Sequence, residues 1–151
     1  MSLQVTRATP LGWPRISASL AYQDAVRAID WLVTAFGFTV RIKVPDGSGG
    51  VMHSELTFGE GVVMVASEKA QLPHATRSPK SLGAGTQALF VYVDDIEAHY
   101  TRAVGAGGQV TRELATTDYG PENWVDRGYT VLDPEGHAWH FAQRISTARP
   151  G

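Results

Sequence analysis

The chain has 151 residues, 43% of them hydrophobic and 19% charged, the make-up of one ordinary globular domain. It contains no cysteine, which excludes disulfides, thiolate metal centres and thiol nucleophiles. Thirteen Lys and Arg stand against fifteen Asp and Glu with no basic run, no apolar stretch approaches the roughly 20 residues of a membrane span, and no signal-peptide pattern opens the chain. A cytoplasmic protein without nucleic-acid or membrane partners is expected.

Small and apolar residues alternate over 16–22, which predicts a strand. Asp24 follows as a helix cap, and Ala25, Ile29, Leu32 and Phe36 form one apolar stripe that Gly37 ends. Strands are predicted over 38–44, 51–58 and 62–66, the last two joined by the tight turn Phe58-Gly59-Glu60-Gly61. Residues 68–86, rich in Pro, Ser, Lys and Gly, read as a linker.

The same order then returns. A strand over 88–93 leads to Asp94-Asp95 and to a helix carrying Ile96, Tyr100 and Ala103, stopped by Gly105, Gly107 and Gly108. Strands follow over 109–114, 128–132 and 138–142, with a long loop at 115–127 and the turn Asp133-Pro134-Glu135-Gly136. Matching Asp24 to Asp95 gives an offset of 71, and matching Gly61 to Gly136 gives 75. The reading is a repeat of βαβββ, with module one at about 15–67 and module two at about 87–143.

Two such modules, with Ala35-Phe36-Gly37-Phe38 at the first helix end and Asp133-Pro134-Glu135-Gly136-His137 before the last strand, resemble the vicinal oxygen chelate superfamily. That group contains glyoxalase I, the bleomycin-resistance proteins and the extradiol dioxygenases. The resemblance implies an α+β fold in which two tandem βαβββ modules form a curled mixed sheet around a central cavity, with helices outside. It also implies a homodimer.

Alternation sorts the strand residues between helix side and cavity side. His53, Glu55, His140, Phe90, Tyr92, Ser17 and Ser19 fall on the cavity side. The metal-dependent relatives place two ligands in each module. The matching slots here are Ser17, Val65, Ala88 and His140, which offer one good donor, so no cofactor is expected. The alternative metal set is His53, Glu55 and His140, two imidazoles and a carboxylate.

Three functional readings stay open. The first is a metal-free binding protein for a small organic ligand, with Phe90, Tyr92, Tyr119 and Trp124 gripping a planar molecule and Ser17 and Ser19 beside it. The second is a lyase or isomerase of the glyoxalase type using His53, Glu55 and His140 for acid–base work, with or without a divalent metal. The third is a remnant without a ligand. His74 reads as solvated in the linker, His99 as an exposed or boundary residue of the second helix, and His137 as a partner of its local backbone.

Overall fold

A computed structural model describes residues 8–147. Module one consists of β1 (Ala18–Tyr22), α1 (Ala25–Phe36), β2 (Thr39–Pro45), β3 (Val51–Phe58) and β4 (Gly61–Ser67). Module two consists of β5 (Ala88–Tyr92), α3 (Ile96–Gly105), β6 (Gln109–Asp118), β7 (Val125–Leu132) and β8 (Ala138–Ser146). A single turn of helix, α2 (Pro79–Leu82), lies in the connection. The sheets have the matching orders β1-β4-β3-β2 and β5-β8-β7-β6, each with its first strand parallel to its last and the rest antiparallel.

Local chemistry accounts for the helix ends. Asp24 Oδ1 accepts from Arg27 N–H (3.0 Å) at the start of α1, and Asp95 Oδ1 accepts from Ala98 N–H (3.0 Å) at the start of α3. Gly37 closes α1 at φ 85°, donating to the Leu32 and Val33 carbonyls. The predicted stripe of α1 is buried, extended by Ala28 and Ala35.

The long loop predicted at 115–127 is instead a hairpin. β6 continues to Asp118 and β7 starts at Val125, with Thr116, Thr117 and Asp118 paired to Arg127, Asp126 and Val125. The β-branched threonines and Val125 favour the extended backbone. Only 119–124 remain as loop, held by Tyr119 N–H to the Trp124 carbonyl (3.0 Å) and Asn123 N–H to the Gly120 carbonyl (3.0 Å).

The two halves differ in one turn, and this corrects a slot. In module one Phe58 pairs directly with Gly61, a two-residue connection; in module two Leu132 pairs with Ala138 across five residues. Matching Gly61 to Gly136 therefore shifts the last strand by one, and a shift of one exchanges the faces of a strand. Val65 is fully buried in the core, and Met64 lies opposite Glu55 and Ser19 on the other face. The residue of module one equivalent to His140 is Met64.

One core joins the modules. Phe36 of α1 packs its ring against Phe141 (centroids 4.6 Å) and Trp139 (5.4 Å) of β8, and Phe38 reaches Trp139 (5.5 Å). Pairs of this geometry add about 0.5–1.5 kcal/mol each beyond their area. His99 of α3 is buried in the same place rather than exposed. Its Nε2 donates to the Phe36 carbonyl (3.0 Å), and Tyr129 Oη donates to its Nδ1 (2.7 Å). The Ile96, His99 and Ala103 face of α3 turns inward because Tyr129 and Phe36 supply the polar partners that a buried imidazole needs.

The helices thus lie between the sheets, and each sheet leaves its opposite face away from the shared core. The two sheets of the chain do not close on one another around a single cavity.

The Asp133–His137 turn ties the halves together. Asp133 accepts four hydrogen bonds, from Tyr22 Oη (2.6 Å), Trp139 Nε1 (3.1 Å), Glu135 N–H (3.1 Å) and His137 N–H (3.0 Å). Glu135 accepts from the Gln23 and Asp24 amides (2.6 and 3.0 Å) and from Ser78 Oγ (2.7 Å). His137 Nε2 donates to the Ala21 carbonyl (2.8 Å), a partner 116 residues away rather than a local one. Buried carboxylates are costly unless hydrogen-bonded, and these two are satisfied by neutral donors. The linker is pinned to the same turn, since Lys80 N–H donates to the Glu135 carbonyl (2.9 Å).

Candidate functional site

The two open sheet faces carry different chemistry. On module one a row runs across the strands through Ile42, Glu55, Met64 and Ser19. A bulge between Val40 and Ile42 frees Arg41 from the ladder. Arg41 donates through Nε (2.8 Å) and Nη2 (2.6 Å) to Glu55 Oε2, while His53 Nε2 stands 3.3 Å from Glu55 Oε1. Glu55 is 7% exposed. Burial raises its pKa, but the hydrogen bonds and charges of Arg41 and His53 outweigh burial and hold the carboxyl below its usual value. At neutral pH it is a carboxylate, an acceptor poised beside an imidazole.

On module two the equivalent row is Phe90, His140, Thr130 and Arg112. Phe90 packs on His140 (4.7 Å) and on Tyr92 (5.1 Å). His140 Nδ1 is 2.8 Å from Thr130 Oγ1. Burial, reinforced by the nearby Arg112 cation against a smaller pull from Asp126, lowers the His140 pKa, so the ring is neutral at pH 7. Beyond it, Arg144 stacks between Trp124 (4.6 Å) and Tyr92 (5.2 Å) and is fixed by Asp126 (2.5 Å), which also accepts from Tyr92 Oη (3.0 Å). Tyr119 lies 6.2 Å from Trp124. These aromatics remain uncovered: Phe90 is 54% exposed, Tyr92 and Tyr119 47%, and Trp124 40%.

The predicted site residues therefore fall into two sets. His53 and Glu55 meet on module one. His140, Phe90, Tyr92 and Trp124 gather on module two, with Tyr119 beside Trp124. His140 does not join His53 and Glu55, and among the described residues no group of three or more His, Asp or Glu could hold a metal. With the register corrected, the family's ligand slots read Ser17, Met64, Ala88 and His140. They offer one imidazole, one thioether and one hydroxyl, which does not fit a site for a divalent metal that needs several N or O donors.

A groove of about 820 Å³ does link the two modules, lined by Ser17, Phe58 and Val62 on one side and by Phe90 and Tyr92 of the β5 edge on the other. The Ser17 hydroxyl is buried there without a partner, and Ser19 is exposed. Sequence reading missed Arg41, Arg112, Asp126 and Arg144. An isolated arginine in a strand gives no signal until the register puts an acid beside it.

Two repeated βαβββ units with core-facing helices and open outer faces define a paired-module α+β protein. The profile of the Glyoxalase/Bleomycin resistance protein/Dioxygenase superfamily matches residues 15–141, and the chain belongs to that superfamily. It is 32% identical over 133 residues to an uncharacterised protein of Mycobacterium bovis, covering 87% of this chain and 84% of that one. It is similar to the crystal structure of TioX from Micromonospora sp. ML1, with 32% identity, a TM-score of 0.66, and coverage of 87% of this chain and 99% of that one. A glyoxalase/bleomycin resistance protein/dioxygenase family enzyme from Burkholderia phytofirmans PsJN shares the fold at 18% identity and a TM-score of 0.61, over 85% and 97% of the two chains. No helix among the described residues is long and apolar enough to cross a membrane.

Proposed function

We propose that this protein binds a small, planar organic ligand without a metal, in a cavity completed by a second copy of the chain. The module-one face of one copy meets the module-two face of the other in a homodimer. The observation that carries this reading is the set of half-exposed aromatic side chains on module two, Phe90, Tyr92, Tyr119 and Trp124, beside a stacked arginine. Contiguous uncovered apolar surface of this kind marks a binding face. The polar set of module one then supplies orientation, as the few convergent polar groups of a ligand pocket do.

A second reading is favoured by one observation. Glu55 is a carboxylate with an imidazole 3.3 Å away, a pair able to relay a proton. In a completed cavity His140 of the second copy joins it, and the protein is a metal-free lyase or isomerase of the glyoxalase sort.

Sedimentation together with a thermal-shift screen of planar aromatic compounds tests the binding reading. A dimer, and a ligand that raises the Tm of the wild-type chain but not that of Phe90→Ala, are expected. A monomer, or a ligand indifferent to Phe90→Ala, contradicts it. Turnover of the ligand that is lost in Glu55→Gln selects the second reading.

A further inference from the structure

Glu55 is buried although it lies on a sheet face that the core leaves open; Arg41 and His53 close on its carboxylate, and Arg41 is met in turn by the segment that precedes β1. Residues 10–13 form a turn closed by Trp13 N–H to the Pro10 carbonyl (3.0 Å), with Gly12 third in the turn at φ 78°. A type II turn requires a positive φ at that position, which glycine adopts freely. The turn aims the Gly12 carbonyl at Arg41 Nη1 (2.7 Å) and lays the Trp13 ring 4.9 Å from the Arg41 guanidinium carbon. A β-carbon on Gly12 would stand 3.3 Å from Nη1. Arg41 belongs to β2, at the opposite edge of the sheet from β1. Residues 12–17 therefore return from the β2 edge of the sheet to Ala18 at the β1 edge, as a strap.

Arg41 thus receives an aromatic ring and a neutral carbonyl oxygen from its own chain. We propose that the strap is an internal stand-in for the ligand. The module-one half of the site takes an aryl carbonyl compound, an aromatic ring bearing a neutral amide or ketone oxygen, in place of Trp13 and Gly12. This rests on the ligand-binding reading above and names its ligand class. The acceptor is neutral because Glu55 already occupies Nε and Nη2 and balances the guanidinium charge. A second carboxylate would meet Glu55 across the same cation and be repelled.

The strap is built to be displaced. Its polar hold on Arg41 is one hydrogen bond and one cation–π contact. Leu11 and Ile16 project into solvent, 102% and 86% exposed, so these two bury almost no apolar area. At its root the Ser17 hydroxyl is buried unpaired, and lifting the strap returns it to water or to a ligand.

The test is calorimetric titration of the full chain with 1-naphthamide, paired with NMR of the Trp13 indole. Trp13→Ala removes the internal competitor and tightens binding about three- to tenfold, the reciprocal of the open-strap fraction. Arg41→Lys keeps a cation beside Glu55 but loses the planar fork that reaches Glu55 and a second acceptor together, and weakens binding by about tenfold or more. The wild-type Trp13 resonance moves on titration, and 1-naphthoate binds less tightly than the amide. Unchanged or weaker binding by Trp13→Ala, or unchanged binding by Arg41→Lys, overturns the proposal. A probe that shifts Phe90 and His140 while Trp13 stays still upholds the pocket and overturns the strap. No binding by Trp13→Ala overturns the strap alone, because the open screen tests the pocket independently.

Discussion

The two modules share one topology but use their last turn differently. In module one Phe58-Gly59-Glu60-Gly61 is only a hairpin, and Glu60 points into solvent. In module two the equivalent connection is longer, and Asp133, Glu135 and His137 are all buried against module one and the linker. The outer faces divide in the same way, one polar around Arg41, His53 and Glu55, the other aromatic around Phe90, Tyr92 and Trp124. The two modules share the scaffold, while module two carries the clamp and the exposed aromatics and module one carries the buried Glu55 with Arg41 and His53.

Removing the clamp should break this comparison most severely. Asp133→Ala strands four donors, two of them the buried side-chain groups of Tyr22 and Trp139, and should cost about 3–5 kcal/mol in urea unfolding. Glu60→Ala, at the related place in module one, should stay within about 0.5 kcal/mol. Equal losses at the two positions would contradict the division of labour.

The seam between modules comes next. His99→Ala leaves the Tyr129 hydroxyl and the Phe36 carbonyl unpaired and opens a cavity, at about 2–4 kcal/mol. Burial holds the His99 pKa below its ordinary value of 6.5, against a smaller upward pull from the Phe36 carbonyl. The unfolded chain then binds protons that the folded chain does not. Stability should be constant above about pH 6.5 and fall as the pH drops below it, toward the lowered folded pKa. His140 is lowered in the same direction and adds to the slope. His99→Gln should flatten the profile measured from pH 7 to 5.

The smallest stability effects and the largest binding effects should fall on the open faces. Phe90→Ala should change stability by less than about 1 kcal/mol, because the ring is already half in water, yet weaken ligand binding at least about tenfold. Glu55→Gln removes the anion that Arg41 grips. In a binding protein it shifts affinity modestly; in an enzyme it abolishes turnover while binding persists.

Much of the fold could be read from periodicity and punctuation. Asp24, Asp95 and Gly37 mark helix ends through chemistry that acts within four residues, and the alternation of 51–58 put His53 and Glu55 on one face correctly. What could not be read was set by distant partners. His99 sits on a sparsely apolar helix and is buried only because Phe36 and Tyr129 meet it from elsewhere in the chain. Counting from the turn glycine puts Val65 on the wrong face, because two turns ending in the same residue type differ in length. Arg41 gained its place from a bulge, which leaves no mark in the spacing.

The central claim, that one site is shared between the polar face of one copy and the aromatic face of another, is tested most directly by mixing two defective chains. Arg41→Lys damages the first face and Phe90→Ala the second. Co-refolded and titrated with 1-naphthamide, the mixture should recover binding that neither variant has alone, since half of its mixed dimers' sites are intact. If the mixture binds no better than its components, each chain uses its own two faces and the shared site is wrong.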